Sequence, residues 1–186
     1  MSTPVTEIPG YVAGTWAIDP IHSEVGFSVR HMMVSKVRGK FEKVDGTFTT
    51  GPDPVQSTVH AVIDAASITT SQSDRDNHVR SEDFLHVEKH PTITFDSTGV
   101  RQDGDDFLLD GNLTIREVTR PVTLRLEING FGPDAYGGTR AGFSAKGEIS
   151  RKDFGVSFNG VIPGTNGAVV SDKVNLDLEI EGVLQQ

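Results

Sequence analysis

From Trp16 onward the chain alternates apolar and polar residues with a period of two. Val25, Phe27 and Val29 are apolar, while Glu24, Ser28 and Arg30 between them are polar, the pattern of a strand with one buried face. Phe41, then Val44, Gly46 and Phe48, mark a second region, and the change of parity between Phe41 and Val44 predicts a bulge or a break. Val59, Ala61 and Ile63 form the next inward set, followed by Ile93 and Phe95. Leu109, Gly111, Leu113 and Ile115 come next, then Val122, Leu124, Leu126 and Ile128. Ala141, Phe143, Ala145 and Ile149 form another set, and Val174, Leu176, Leu178 and Ile180 the last. Turn signals such as Gly51-Pro52-Asp53-Pro54, Asp103-Gly104-Asp105 and Gly137-Gly138 separate them, which gives about eight strands. One apolar and one polar face per strand means an antiparallel sheet. Without long helices between the strands, it closes as a barrel or folds as a two-sheet sandwich, and alternation does not choose between them.

Residues 70–90 break the pattern. Ser73 or Asp74 is placed to cap a short helix through His78 and Arg80, and Ser81 to start another around Glu82-Asp83-Phe84. A helical insert at that place plugs one end of a barrel. Residues 1–14 read as a flexible arm and residues 15–186 as a single domain. The formal charge of −9 is the wrong sign for a general nucleic-acid binder and disfavours broad adhesion to an anionic membrane. No apolar run approaches the roughly 20 residues of a spanning helix, so stable membrane insertion is not expected. The start carries neither a basic n-region nor an apolar h-region, which makes the cytoplasm the expected compartment. Cysteine is absent, so no thiolate nucleophile or cysteine-ligated metal enters.

Ala61, Gly111, Ala141, Ala145 and Gly147 occupy presumed inward positions with little or no side chain. Either large partners fill the space they leave, or a cavity remains, and an eight-stranded barrel is about the size that holds one ligand. At roughly 0.8 kcal/mol per buried methylene, an apolar tail of about 20 carbons gains on the order of 16 kcal/mol gross.

The polar candidates each carry two readings. His22 and Ser23, after Asp19-Pro20, either orient a head group or belong to a capped Asp-Pro turn, and the turn is favoured. His31 shares the parity of Val25, Phe27 and Val29, so it meets a ligand oxygen or sits as a satisfied core histidine. His86 and His90, with His78 nearby, have a helical ligand spacing, but Pro91 disfavours helix there and no metal is expected. Arg75, Asp76 and Arg80 form either a cationic mouth for a phosphate or carboxylate, or an Arg–Asp network that pins the insert. Arg151 and Asp153 invite the same pair of readings. No nucleotide-binding glycine loop and no nucleophile elbow is present.

Several runs, in order along the chain, resemble the YceI-like, polyisoprenoid-binding family. They begin with the stretch from Trp16 through Asp19-Pro20, His22-Ser23, Phe27 and Arg30-His31 to Gly39 and Phe41. Ser67-Ile68-Thr69-Thr70 and the run from Arg75-Asp76-Asn77-His78 to Phe84-Leu85 follow. Pro91, Ile93, Phe95 and Ser97, then Gly111 and Leu113-Thr114-Ile115-Arg116, then Gly142-Phe143 and Arg151 with Asp153-Phe154-Gly155 complete them. The resemblance implies an all-β, lipocalin-like extended antiparallel barrel of about eight strands with a short helical insert. It implies an apolar channel for an isoprenoid or other long amphiphile, and a homodimer. Relatives usually carry glycine where Glu117 stands, so Glu117 is expected to require a different local geometry.

The resulting expectation is a non-catalytic binder of a long-chain lipid, without a cofactor, for storage, transport or stress protection. Phe27, Val29, His31, Ile63, Phe84, Ile93, Phe95, Leu113, Ile115, Phe143 and Phe154 would form its lining, with His31, Arg75 and Arg151 as head-group candidates. Two alternatives stand beside it. One is a protein-interaction module with a side-chain-filled barrel, whose exposed residues such as Arg125 and Glu127 would matter most. The other, ranked last, is an enzyme on a prenyl or quinone-like substrate, with His31 or the Arg75, Asp76 and His78 cluster moving a proton.

Overall fold

The structure, a computed structural model, describes residues 8–32, 34–157 and 170–185. Among these residues, eleven strands form one antiparallel sheet: β1 (Gly14–Ile18), β2 (Glu24–His31), β3 (Ser35–Phe41), β4 (Val44–Thr50), β5 (Thr58–Asp64), β6 (Ile68–Thr69), β7 (Thr92–Asp103), β8 (Asp106–Ile115), β9 (Val118–Pro133), β10 (Thr139–Ser150) and β11 (Lys173–Leu184). β1 and β2 lie end to end along the same edge of β11, with Trp16 opposite Leu184 and Ser28 opposite Asn175. β3 and β4 continue one another in the same way, as do β5 and β6. Three broken staves and five continuous ones therefore make an eight-staved barrel, closed by the β1–β11 pairing.

The breaks have local causes. Pro20 cannot donate to a ladder, and Asp19 Oδ1 accepts the Ile21 N–H (2.9 Å), turning the chain between β1 and β2. Between β3 and β4 the residues Glu42 and Lys43 are extra, so Phe41 and Val44 both face inward despite their odd spacing, as the parity change predicts. A short 3₁₀ turn, Ala65–Ser67, separates β5 from β6 and is capped by the Asp64 side chain.

β6 meets β3 only through Lys40–Thr69 and Phe41–Ile68, and β7 meets β5 only over His60–Asp64. The wedge between these staves is filled by α1 (Ser73–Arg80) and the turns after it. The helix begins as expected, but its cap is Gln72, whose side chain accepts the Arg75 N–H, rather than Ser73 or Asp74. No second helix forms around Glu82-Asp83-Phe84. That segment folds back instead: Leu85 and Val87 donate to the carbonyls of Val79 and Arg80, and His86 has a positive φ of 48° that breaks any helical run.

One end of the barrel is closed by aromatic rings. Trp16 is fully buried, bonds Thr50 Oγ1 through Nε1 (2.9 Å) and stacks on Phe48 with centroids 5.7 Å apart. Phe131 and Phe143 complete the cluster at edge-to-face angles. The first seven residues of the expected arm lie outside the described residues. From Ile8 the chain is tied down, with the Tyr11 hydroxyl on the Gly51 carbonyl (2.7 Å) and its ring against Phe131. Small inward residues here do meet large partners: a Cβ on Gly182 would lie 2.4 Å from the Phe48 ring, and one on Gly111 2.3 Å from the Phe95 ring.

The opposite end gathers α1, the turns of residues 81–91, the 3₁₀ turn Arg151–Phe154 and the β8–β9 hairpin loop. That loop is Arg116-Glu117, between the paired Ile115 and Val118, with φ of 53° and 65°. Glu117 thus keeps the left-handed geometry of a two-residue hairpin turn rather than adopting another. Arg116 ties the strained turn down by donating to the carbonyls of Phe84 (3.0 Å) and Gly155 (3.2 Å).

Two substitutions test this account by chemical denaturation. Glu117→Gly relieves the left-handed strain and raises stability by about 1 kcal/mol. Gly182→Ala forces the Phe48 ring aside and lowers it by about 2 kcal/mol.

Candidate ligand cavity

The inward side chains of the barrel share one parity but not one degree of burial. On β7 and β8 most are packed out, with Ile93 and Leu109 each 5% exposed, and on β9 Leu124 is buried to the same extent while Val122, Leu126 and Ile128 are half-buried. On β2, β3 and β11 the corresponding Val25, Phe27, Val29, Val37, Leu176 and Leu178 are only half-buried. Since they point inward, what they lack is material across from them. The space they face is a cavity of about 490 Å³ whose wall is almost entirely hydrocarbon. The side-chain-filled barrel is therefore not what this sequence builds.

Every residue expected in the lining borders this space. Phe27, Val29 and His31 come from β2, Ile63 from β5, Ile93 and Phe95 from β7, Leu113 and Ile115 from β8, and Phe143 from β10. Phe84 enters from the turns after α1, and Phe154 from the 3₁₀ turn after β10. Ile63, Ile93, Phe95, Leu113 and Phe154 are also core residues packed against one another, so they form the foundation of the wall. The site reading omitted Val37 on β3, Val79 on α1, Leu85 in the turns after it, and Leu176, Leu178 and Ile180 on β11. The signal was present for β11, where strand parity puts all three on the inward face.

The charged and imidazole groups of the lining, His31, Arg75, His78 and Arg151, belong to the end that holds α1, with Thr70 beside them, whereas the aromatic end contributes only the hydroxyls of Tyr11, Thr49, Thr50, Ser57 and Thr58. His31 ends β2, pairs with Ser35 across the hairpin and bridges to Val170. Arg75 donates from Nε to Thr70 Oγ1 (2.7 Å) and from Nη2 to the Thr70 carbonyl (2.8 Å). Its Nη1 has no partner among the described residues, which leaves an exposed cationic group at the mouth.

Arg151 is different. It is buried, and its Nε, Nη1 and Nη2 donate to the carbonyls of Ser171 (2.9 Å), Val156 (2.7 Å) and Val170 (3.1 Å). Burial pushes its guanidinium pKa down, with the Asp172 carboxylate acting in the opposite direction. Of the two readings open for Arg151, the geometry fits the structural one: it ties the chain entering β11 to the turn that leaves β10. Asp153 sits in that same turn.

Asp76 belongs to the pin as well. Burial opposes its ionisation, but the Thr70 hydroxyl and the Thr70 N–H (2.7 Å) both donate to Oδ1 and hold its carboxyl below the usual range. Arg80 completes the attachment through the carbonyls of Ala66 (2.9 Å) and Ile68 (2.7 Å). The Arg75, Asp76 and His78 cluster is thus not assembled as an acid–base site, since Asp76 faces Thr70 and His78 Nε2 lies on Asp83 (2.9 Å).

The histidines at 86 and 90 meet edge to face, with centroids 5.7 Å apart, and gather no set of metal-ligating carboxylates among the described residues. Asp19, His22 and Glu181 do cluster, on the outside of the barrel. Arg140 Nη1 already bridges Asp19 and Glu181, both at 2.7 Å, and Asp134 accepts from its Nε (3.1 Å). The His22 hydrogen bond, against the effect of burial and together with Arg140, holds the Asp19 carboxyl far below the ordinary range. His22 and Ser23 therefore belong to a structural node around the Asp19 turn, as the favoured reading has it.

The sequence signature of the YceI-like domain matches residues 16–182 of this chain. Protein YceI of Escherichia coli O157:H7 is 40% identical over 178 residues, covering 94% of this chain and 90% of that protein. Protein YceI of Salmonella newport is identical to the same extent, 40% over 178 residues with the same coverage. Among solved structures, Burkholderia cenocepacia BcnA superposes with a TM-score of 0.76 at 22% identity, over 88% of this chain and 98% of that one. The Campylobacter jejuni YceI protein superposes at 0.71 and 28%, over 84% and 90%. A polyisoprenoid binding domain from Saccharophagus degradans does so at 0.68 and 15%, over 94% and 100%.

The two arginines at the mouth separate cleanly by stability. Arg151→Met leaves three backbone carbonyls without their donor and lowers unfolding free energy by about 3 kcal/mol. Arg75→Ala, at an exposed position, lowers it by about 1 kcal/mol or less in the same denaturation experiment.

Proposed function

The chain belongs to the YceI-like domain family, and on that footing we propose that it binds a polyisoprenoid or similar long-chain amphiphile in the barrel without altering it chemically. The observation that carries this reading is the half-buried inward face of β2, β3 and β11 around an apolar space of about 490 Å³. A cavity of about 150 Å³ accepts a benzene ring, so by proportion this one has room for on the order of 20 carbon atoms. The distribution of charge suits an amphiphile: aromatic rings and hydroxyls at the closed end, His31 and the free Nη1 of Arg75 at the other. The tail lies in the hydrocarbon, and an oxygen-bearing head reaches the histidine and arginine.

The polyisoprenoid binding domain among the structural neighbours supports the lipid class. Among the described residues no helix is long and apolar enough to cross a membrane. An enzymatic reading has less to rest on, because the His31 ring makes no hydrogen bond with any described residue that would orient it as a base, and Asp76 and His78 are engaged by Thr70 and Asp83. Storage, transport or stress protection is the use that such binding serves, and a homodimer is the assembly that accompanies it in this reading.

The test is a titration of detergent-free protein with a fluorescent analogue of a long prenyl alcohol. Wild type binds saturably. Leu178→Trp, which fills space on the unpacked wall, stays folded and binds at least about tenfold more weakly, a change of roughly 1.4 kcal/mol. Absence of saturable binding by folded wild type, or undiminished binding by the folded tryptophan variant, contradicts the proposal.

A further inference from the structure

We infer that the β2–β3 hairpin is a docking element for an anionic lipid bilayer, one that sets the mouth of the cavity against the membrane surface. The inference takes its purpose from the lipid-binding reading, but its geometry stands independently. Residues 30–43 carry Arg30, Lys36, Arg38, Lys40 and Lys43 against a single carboxylate, Glu42, in a chain whose formal charge is −9. The local field is thus opposite in sign to the global one.

The register aligns these charges. Arg30 stands directly opposite Lys36, and Arg38 opposite Ser28, all on the face turned away from the cavity. Like charges directly across a strand pair are destabilising. Three outer-surface arginines elsewhere are answered by acids, Arg101 by Asp110 (2.7 Å), Arg125 by Asp103 (2.6 Å) and Arg140 by Asp19 (2.7 Å), and within the hairpin Lys40 is answered by Glu24 (3.6 Å). The side chains of Arg30, Lys36 and Arg38 have neither a hydrogen bond nor an ion pair with any described residue.

The hairpin tip is apolar. Met32 is 43% exposed and Val34 83% exposed, two members of a set of five exposed large apolar side chains among the described residues, of which Ile21 and Tyr136 stand apart from the hairpin. An apolar tip below a collar of cations fits the boundary between headgroups and acyl chains, where each signal alone gives marginal binding and the two together give stable binding. The same hairpin presents Val29, His31 and Val37 to the cavity on its inner face. Docking the tip therefore brings the cavity mouth to the lipid.

Guarding of a sheet edge explains part of the pattern but not all of it. Over Ser35–Gly39, β3 pairs only with β2, and a lysine on an open edge discourages aggregation. Arg30 is on β2, which has a partner on both sides at Ser28 and pairs with β3 through His31, and edge protection gives no reason for an exposed Met32 and Val34.

The test is co-sedimentation of the full chain with vesicles of phosphatidylcholine alone and of phosphatidylcholine with phosphatidylglycerol. Wild type partitions onto the anionic vesicles in preference to the zwitterionic ones, and less at high salt. Lys36→Glu with Arg38→Glu lowers that partition by on the order of 20-fold or more. Val34→Asp lowers it as well, and Lys146→Glu, on the outer face of β10, leaves it nearly unchanged. Uptake of the fluorescent prenyl alcohol in vesicle-free solution is the same in all these variants. Equal binding of wild type to both vesicle types, wild-type binding by the folded hairpin variants, or an equal loss in Lys146→Glu overturns the inference. Hairpin-dependent vesicle binding by a protein that takes up no prenyl alcohol upholds the docking surface and removes the lipid-binding reading instead.

Discussion

β11 pairs with β10 along its whole length on one side, and on the other side it is shared, with β2 taking its first half and β1 its last residues. This shared edge is the constraint on which the rest of the barrel depends. It closes the ring, so the sheet has no free edge around its closed part. It also forces the chain between β1 and β2 to turn at Asp19-Pro20 and resume along the same partner. The Asp19, Arg140 and Glu181 node sits on that turn, and Asp19 N–H donates to the Glu181 carbonyl (2.8 Å). Past the turn the β2–β3 hairpin departs from the neighbouring staves, which separates the packed end of the barrel from the hollow one.

Packing follows from this division. At the closed end, Trp16, Phe48, Phe131 and Phe143 fill the lumen, and glycines such as Gly182 make room for the rings. At the other end the facing walls carry valines and leucines that do not reach one another. At about 24 cal/mol per Å³, a void of that size corresponds to on the order of 10 kcal/mol of forgone packing, comparable to the whole stability of an ordinary domain. Such a deficit is hard to reconcile with a purely structural interior. A hydrocarbon tail offsets it by contributing the missing contacts, which is why the cavity rather than any single residue carries the functional argument.

The sequence made the inward faces legible because strand periodicity is a property of local backbone geometry. The parity change from Phe41 to Val44 even located a stave break. Parity reports which way a side chain points, however, and not whether anything stands opposite. It therefore could not separate Phe95, packed over Gly111, from Leu178, which faces open space. The cap at Gln72 escaped because serine and aspartate are the usual capping residues, and the folded-back 81–91 segment escaped because its hydrogen bonds return to α1 from outside it. Glu117 defied the glycine argument because Arg116 anchors the turn from both neighbouring segments. Arg151 and Arg75 looked alike in sequence, and only the position of backbone carbonyls, a tertiary property, distinguishes the tied guanidinium from the one with a free nitrogen.

The central claim, that the barrel holds a long-chain lipid, is met most directly by native mass spectrometry of protein purified without detergent, followed by solvent extraction and identification of what is released. The account predicts a stoichiometric adduct that yields a prenyl chain or a comparable long amphiphile. A bare mass that stays bare after incubation of the folded protein with prenyl lipids would contradict it.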